Sequence, residues 1–229
     1  MTLHRFFVPA DEMAGERFGL PGSIARQVTT VLRLRDGDRL VLFSGDGSEA
    51  VCRLEGGDCV VEERRAVASE PSHRLTVVQA LLKGDALEEV VRQATEIGVA
   101  RFRLVVTDRC VARDLSDRKL QRLRIIGREA AEQSERGIVP AVEAPVPLRD
   151  TFADGAVLLY ERGAPTRLSM IPAPSTVIIG PEGGFTDAEV EAATAAGLRV
   201  AGLGPRILRS QSVALAAAAA VLSRTGDFA

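Results

Sequence analysis

The chain has 229 residues, of which 46% are hydrophobic and 26% are charged, and its formal net charge is −2. These values are typical of a soluble globular protein with one large or two modest domains, and they argue against a protein that coats nucleic acid over its whole surface. The longest apolar run, VALAAAAAVL at 213–222, is too short and too rich in alanine to span a bilayer, and the start, MTLHRFFVPADE, lacks the order of a signal peptide. We therefore expect a cytoplasmic protein with no membrane partner.

The first seventy residues predict a small all-β domain. A short helix over 23–31 is expected to precede three β-branched runs separated by Gly and Asp turns, at 40–45, 49–54 and 58–64. The Asp-Gly pair within 45–48 is typical of a hairpin turn. So few strands favour a compact barrel over a sandwich. The polar, proline-containing segment 69–73 is a plausible linker, so we predict domains over 1–70 and 74–229.

After the linker, the pattern changes to strands that alternate with helices. The helices are expected over 85–98, where Gly98 closes the helix, over 115–137, which Ser116 or Asp117 opens, and over the alanine-rich C-terminal segment. The strands are continuous apolar runs, at 74–82, 102–107, 156–162, 175–180 and 198–204. Such runs suit a parallel sheet that is covered on both faces, so we predict an α/β domain.

Cysteine and histidine are too sparse and too scattered for a metal centre. Cys52, Cys59 and Cys110 have no C-x-x-C spacing and lie in β-like runs, so buried reduced thiols are expected and no metal site is predicted. His4 and His73 lie far from the glycine-rich segments described next, which gives a Ser-His-Asp triad little support.

Charge is distributed unevenly along the chain. Residues 92–136 hold eleven Lys or Arg against seven Asp or Glu, a local charge of +4, and the only lysines of the chain are Lys83 and Lys119. Arginine suits bidentate contact with phosphate and stacking on bases. From charge alone, a solvated helix face with ion pairs explains this region better than a nucleic-acid surface.

Two glycine-marked turns, each between a strand and a helix, carry the strongest functional signal. The first reads GPEGGFTDAE from Gly180, with a capping box from Thr186 to Glu189, and the second reads LGPRILRSQS from Leu203. Such turns present backbone N–H groups and a helix N-terminus to a ligand, and two of them can converge at the carboxyl edge of a sheet. The spacing fits neither a P-loop nor the dinucleotide fingerprint. An apolar Ile-Leu pair between two arginines suits an adenine ring.

Several motifs together resemble the RsmE-type family of ribosomal RNA methyltransferases, in the SPOUT superfamily. They are GPEGG-FT-x-x-E and LG-x-RILR before an alanine-rich helix, with RFFV at 5–8, VLRLRDGD at 31–38, LLKGD at 81–85, ATEIGV at 94–99 and REAAEQSERGIVP at 128–140. The resemblance covers nearly the whole chain. It implies an α/β fold with a SPOUT-type parallel sheet and a C-terminal deep trefoil knot, preceded by a small all-β PUA-like barrel that binds RNA.

The resemblance also implies an activity, a cofactor and partners. The family methylates the N3 imide nitrogen of a uridine in 16S small-subunit ribosomal RNA, uses S-adenosylmethionine and is typically a homodimer. The RNA is expected as the partner within the small ribosomal subunit. The residues that the motifs assign to the cofactor are Gly180, Gly183, Gly184, Leu203, Gly204, Ile207, Leu208 and Ser212.

Roles in the reaction and in RNA binding follow as hypotheses. Arg209 would stabilise negative charge on the uracil, while three residues of the long helix, Glu132, Gln133 and Arg136, would orient the base or accept its proton; an ordinary ion pair is the alternative for Glu132 and Arg136. The candidates for phosphate contact are Arg5, Arg33 and Arg35.

One position departs from the family pattern. Gln211 stands where the family usually has Glu. A hydrogen-bonding cap would survive this change, whereas a catalytic carboxylate would be lost. Two alternatives stay open: a SPOUT methyltransferase with another RNA target, and a catalytically silent RNA-binding protein, which Gln211 alone favours.

Overall fold

The computed structural model describes residues 3–227, which form two compact units. The first unit contains the residues up to Glu70 together with Ala131–Val139, and the second contains Pro71–Ala130 and the residues from Pro140 onward. The short segment Ala131–Val139 thus joins the first unit, although the sequence analysis assigned it to the second domain.

The first unit is built on a five-stranded sheet in the order β1-β3-β4-β5-β2. Its strands are β1 (His4–Phe7), β2 (Arg17–Gly19), β3 (Arg39–Phe43), β4 (Ser48–Glu55) and β5 (Asp58–Ala66). β1 pairs with β3 in parallel, and the other pairs are antiparallel. The three predicted strands are confirmed, as is the hairpin turn at 45–48. The strands β1 and β2 were not predicted because three or four residues carry too little periodicity.

Local chemistry explains the second hairpin of this sheet. β4 and β5 are joined by Gly56 and Gly57. Both have positive φ (61° and 89°), as a two-residue type I′ hairpin turn requires. The inward faces pack a small core that includes Phe6, Leu40, Leu42, Cys52 and Cys59. All three cysteines of the chain are buried and unbridged, as predicted.

The predicted helix over 23–31 is present as α1 (Gly22–Arg26), which continues into one wider π-type turn over Gln27–Val31. The segment that follows contains Arg33, which adopts a positive φ of 56°. This conformation ends the helical run and leads the chain into β3.

The second unit is built on a seven-stranded sheet in the order β10-β12-β9-β11-β6-β7-β8, in which all pairs are parallel. The strands are β6 (Thr76–Ala80), β7 (Arg101–Val106), β8 (Ala141–Pro147), β9 (Val157–Leu159), β10 (Thr166–Arg167), β11 (Thr176–Ile179) and β12 (Arg199–Gly202). The parallel sheet and its five predicted strands are confirmed. β8 was not predicted because it contains two prolines, which a strand at the edge of a sheet tolerates.

Four helices complete the second unit: α2 (Ala86–Glu96), α3 (Asp117–Gln133), α4 (Asp187–Ala195) and α5 (Ser210–Leu222). Ser116 opens α3, since its Oγ accepts from the backbone N–H of Lys119 at 3.3 Å. Gly98 follows α2 with φ 109°, and a Cβ there would lie 2.4 Å from Pro71. Within residues 3–227, each helix is too short or too polar to cross a bilayer.

The predicted end of the long helix at Gly137 is wrong. α3 ends at Gln133, and Glu135 has a positive φ of 57°, which no α-helix contains. Arg136 is therefore not on the helix, so it does not share a helical face with Glu132. The helical periodicity of the sequence continues past Gln133, but the helical conformation of the backbone does not.

Candidate functional site

A cavity of about 430 Å³ lies in the second unit at the carboxyl ends of three adjacent strands. β9 lies between β12 and β11 in the sheet, so the segments that follow these strands meet side by side. The lining residues are Leu159, Tyr160, Glu161, Ile179, Gly180, Pro181, Glu182, Gly184, Leu203, Gly204, Arg206, Ile207, Leu208, Arg209, Ser210, Gln211 and Val213. The convergence of the two glycine-marked turns, inferred from the sequence, is therefore observed.

The first glycine loop (residues 180–186) is bound on its inner side by buried groups. The Ser210 hydroxyl, at the start of α5, donates to the Gly180 carbonyl at 2.5 Å, and the Gln79 amide donates to Ser210 Oγ at 3.2 Å. Ser210 and Gln79 are both buried. Because buried hydrogen bonds of this kind are costly to break, they fix the end of β11 against the first turn of α5.

The outer side of the same loop is bound as well. The Glu182 carboxylate accepts from the backbone N–H of Lys83 at 2.9 Å, and the Arg109 guanidinium donates to the Gly183 carbonyl at 3.0 Å. Lys83 and Arg109 belong to the segments after β6 and β7. The loop is thus held by the neighbouring strand ends of its own sheet.

The predicted capping box is confirmed where the first loop enters α4. Thr186 Oγ1 accepts from the backbone N–H of Glu189 at 3.2 Å, and the Glu189 carboxylate accepts from the backbone N–H of Thr186 at 2.8 Å. Glu189 also accepts from the backbone N–H of Asp108 at 2.8 Å. These bonds satisfy the first N–H groups of α4 and anchor it to the end of β7.

The second glycine loop (residues 203–209) is exposed by comparison. Ile207 is 73% exposed, and the side chains of Arg206 and Arg209 form no hydrogen bond or ion pair with the residues that the structure describes. Gly204 has φ 129°, which favours glycine. The loop offers an apolar pair and two available cations to a ligand in the cavity.

The third wall consists of Tyr160 and Glu161, which follow β9 and were not predicted as site residues. The Tyr160 hydroxyl donates to Asp187 at 3.2 Å, and desolvation together with this hydrogen bond raises the pKa of the phenol. Glu161 lies against Gly184, where an added Cβ would be 2.7 Å from its Oε1. Only the strand order places this wall, because nothing in the sequence near 160 reveals that β9 is the middle strand.

Seven residues predicted for this site line the cavity: Gly180, Gly184, Leu203, Gly204, Ile207, Leu208 and Arg209. Two predicted residues do not. The Gly183 carbonyl accepts from Arg109 outside the lining, and Ser212 is exposed on α5. Ser210 lies in the lining and Ser212 does not, because residues two apart on a helix point in nearly opposite directions.

Glu132 and Gln133 at the end of α3 and Arg136 just beyond it belong to the first unit. The Arg136 side chain is almost fully buried and donates to Glu70 at 2.8 Å, while the Glu132 carboxylate accepts from the backbone N–H of Phe7 at 3.1 Å. A catalytic role for Glu132, Gln133 and Arg136 stays a prediction.

Arg5 does not have the exposure that a phosphate contact needs. Its side chain is 9% exposed, forms an ion pair with Glu49 and donates to the Arg136 carbonyl at 2.9 Å. Burial would raise the pKa of the Glu49 carboxyl, but hydrogen bonds from Arg5 and Arg65 outweigh it and hold that pKa below its usual value. The predicted role for Arg5 is therefore corrected to a structural one.

Arg33 and Arg35, in contrast, are exposed. Together with Arg26 on α1, their side chains form no hydrogen bond or ion pair within residues 3–227, whereas the arginines on β2 to β5 donate to carboxylates or carbonyls of the same unit. The available cations of this unit are thus concentrated in one short segment, 26–35.

Comparison with known families agrees with both units. A family model described as an RNA methyltransferase domain matches residues 69–222, and one described as an RNA methyltransferase PUA domain matches residues 20–61. The ribosomal RNA small subunit methyltransferase E of Bacillus subtilis is 31% identical over 97% of this chain and 97% of its own length. That of Mycobacterium tuberculosis is 34% identical over 96% of this chain and 92% of its own.

Solved structures agree with the fold over the full length. The ribosomal RNA small subunit methyltransferase E of Neisseria gonorrhoeae, crystallised with S-adenosyl methionine, superposes with a TM-score of 0.89 at 30% identity and covers 100% of both chains. A methyltransferase from Legionella pneumophila, in complex with the same cofactor, superposes with a TM-score of 0.83 at 27% identity and covers 98% of both chains.

Proposed function

The chain belongs to the ribosomal RNA small subunit methyltransferase E family, and from that premise we propose that it methylates the N3 imide nitrogen of a uridine in 16S ribosomal RNA with S-adenosylmethionine. The observation that carries the proposal is the three-walled cavity, in which available arginines flank an apolar pair. A cytoplasmic location and a homodimer, with the C-terminal segment in a trefoil knot, are parts of the same proposal.

The cavity residues fit the methyl donor in size and chemistry. A volume of about 430 Å³ suits a nucleoside-sized ligand, and Gly180 and Gly184 let the backbone approach it without a Cβ in the way. Ile207 and Leu208 offer the apolar surface that an adenine ring needs. When bound, S-adenosylmethionine supplies an activated methyl group for an in-line displacement, so the main task of the protein is alignment.

Arg209 is the residue proposed to act on the uridine. The imide nitrogen becomes a good nucleophile only as its proton leaves, and negative charge then spreads to the uracil carbonyls. A guanidinium that lines the cavity and has no partner among the described residues can stabilise that charge at no cost in lost bonds. We assign this role to Arg209 and leave the proton acceptor unassigned.

Arg26, Arg33 and Arg35 are proposed to contact the phosphates of the RNA. Each phosphate contact contributes about 0.7 to 0.9 to the slope of log affinity against log salt concentration. A variant with all three changed to Ala is expected to bind a 16S fragment more weakly, with a slope smaller by about 2 to 3. The matched control is Arg17→Ala, which removes an arginine already paired with Asp58. An unchanged slope would contradict the assignment.

Nucleoside mass spectrometry of 16S ribosomal RNA tests the activity. A strain that lacks this gene is expected to lose 3-methyluridine, and the wild-type gene is expected to restore it. An Arg209→Ala gene should restore little, whereas Arg118→Ala, which changes an exposed arginine on α3, should restore it fully. Unchanged 3-methyluridine in the deletion strain would refute the proposed function.

Gln211 favours a second candidate, a catalytically silent RNA-binding protein. Its side chain lines the cavity, where it supplies an amide instead of a carboxylate. Under the main proposal, Gln211→Glu changes the single-turnover methylation rate only a few-fold, because no step of the reaction is assigned to this side chain, which forms no hydrogen bond with the described residues and does not cap α5. Under the second candidate, the wild type shows no methylation, and donor affinity measured by calorimetry is weak or absent.

A further inference from the structure

Glu161 lines the cavity at the end of the middle one of its three strands. It follows β9, the strand between the two that lead into the glycine loops, and it lines the cavity together with residues of both loops.

The contact with Gly184 brings the Glu161 carboxylate to the ligand-facing side of the first loop. An added Cβ at Gly184 would lie 2.7 Å from Glu161 Oε1, so the carboxylate rests directly on the backbone of that turn. Glu182, the other acidic residue of the lining, is already bonded to the backbone of Lys83. Glu161 forms no hydrogen bond or ion pair with any residue in 3–227, so both of its oxygens are available.

A carboxylate with two available oxygens can accept two hydrogen bonds from one rigid group. Neighbouring hydroxyls of a ribose present two O–H donors at a suitable spacing. In dinucleotide-binding sheets, the acidic residue that accepts from the ribose likewise follows the strand next to the one with the glycine-rich turn. The same relation holds between β9 and β11, although the glycine motif is different.

We propose that Glu161 binds the two ribose hydroxyls of the methyl donor and thereby positions the nucleoside between the glycine loops. The inference rests on the proposed function, since it assumes an adenosyl donor in this cavity. The cationic ammonium group of the donor is the alternative ligand for a carboxylate. The two alternatives can be distinguished with 5′-methylthioadenosine, which has the ribose but lacks the amino-acid end that carries the ammonium group.

Calorimetry with three ligands tests the assignment. Glu161→Gln keeps the size of the side chain but offers one acceptor oxygen and no charge. We expect it to weaken the binding of S-adenosylmethionine, S-adenosylhomocysteine and 5′-methylthioadenosine by the same factor, about tenfold or more. The matched control is Glu191→Gln, which makes the same change at an exposed position of α4 outside the cavity and should leave all three affinities unchanged.

Each result decides the matter. A loss confined to the two ligands with an amino-acid end would overturn the ribose assignment in favour of the ammonium group, and equal affinity of wild type and Glu161→Gln for all three would overturn any direct role. If the wild type binds none of them, the proposed function fails along with the inference. Because Glu161 is exposed and has no protein partner among the described residues, the melting temperature without ligand should not change.

Discussion

The two glycine loops form opposite walls of one cavity, yet they are held very differently. The first is bonded on its inner side by Ser210 and on its outer side by Arg109, and it enters α4 through a complete capping box. The second exposes Ile207 and has arginine side chains without partners among the described residues. The first loop is held by hydrogen bonds within the protein, whereas the second loop has exposed groups that a ligand can contact.

This difference indicates that the two loops contribute to ligand binding in different ways. A preorganised wall costs little to order when a ligand binds, so it can fix the position of the donor. An exposed apolar loop gains contacts only with the ligand present, so its residues should affect affinity without affecting the stability of the free protein. Changes in the first loop should reduce both affinity and stability.

Gly184→Ala should have the largest effect. Gly184 has φ 68°, and the new Cβ would clash with Glu161, so both backbone strain and a displaced carboxylate are expected. We expect donor affinity to fall about 100-fold, or about 3 kcal/mol, in calorimetry. The control is Gly155→Ala. Gly155 has φ 75° and no atom within 4 Å of an added Cβ, so this variant introduces backbone strain without a clash. Equal affinities for the two variants would contradict the role of the contact.

Ser210→Ala should have the second largest effect and should lower both the donor affinity and the free energy of unfolding. It removes the hydroxyl that donates to the Gly180 carbonyl, which then keeps only the long 3.5 Å hydrogen bond from the Gln79 amide; that amide still donates to the Ala80 carbonyl at 3.1 Å. The expected loss of unfolding free energy is about 2 kcal/mol by chemical denaturation, with a parallel loss of donor affinity. Ser212→Ala, the same change at an exposed position of the same helix, should be nearly neutral. If Ser212→Ala were the more harmful change, our correction of the site would be wrong.

Ile207→Ala should separate affinity from stability. The side chain is 73% exposed, so the free energy of unfolding should change by less than about 0.5 kcal/mol. Donor affinity should fall about fivefold, because apolar area that the ligand would cover is lost. Met170→Ala, at a residue that is 76% exposed and outside the cavity, should change neither. A large loss of stability in Ile207→Ala would contradict the contrast between the loops.

Arg109→Ala should have the smallest effect. Its guanidinium bond to the Gly183 carbonyl is exposed to solvent, and such bonds contribute about 0.5 to 1 kcal/mol. We expect a two- to fourfold loss of donor affinity by calorimetry. The exposed residue Arg118 on α3 supplies the matched control, Arg118→Ala. No difference between the two variants would mean that the Arg109 bond does not help to position the first loop for the donor.

Features that depend on neighbouring residues in the sequence could be predicted. The hairpin turn at 45–48, the capping box from Thr186 to Glu189 and the opening of α3 by Ser116 are all confirmed. They depend on bonds between residues no more than five positions apart, so side-chain type and spacing are sufficient. The meeting of the two glycine loops was also predictable, since parallel strands place the segments that follow them at one edge.

Other features depend on which strand lies next to which. Glu161 was missed because its place between the loops follows from the order β12-β9-β11, and Arg5 was misassigned because its partner, Glu49, is 44 residues away. The end of α3 was misplaced because residues 131–139 pack with the first unit, and tertiary contacts there override helical periodicity.

By itself, the sequence determined the α/β and all-β regions, the two glycine loops and, through its motifs, the family. Only the tertiary structure decided that Ser210 and not Ser212 lines the cavity, that Arg5 and Arg136 are buried in ion pairs, and that Glu161 lines the cavity as well. The physical reason is the same in each case. Local bonds are encoded in adjacent residues, whereas burial and pairing depend on the order in which distant strands assemble.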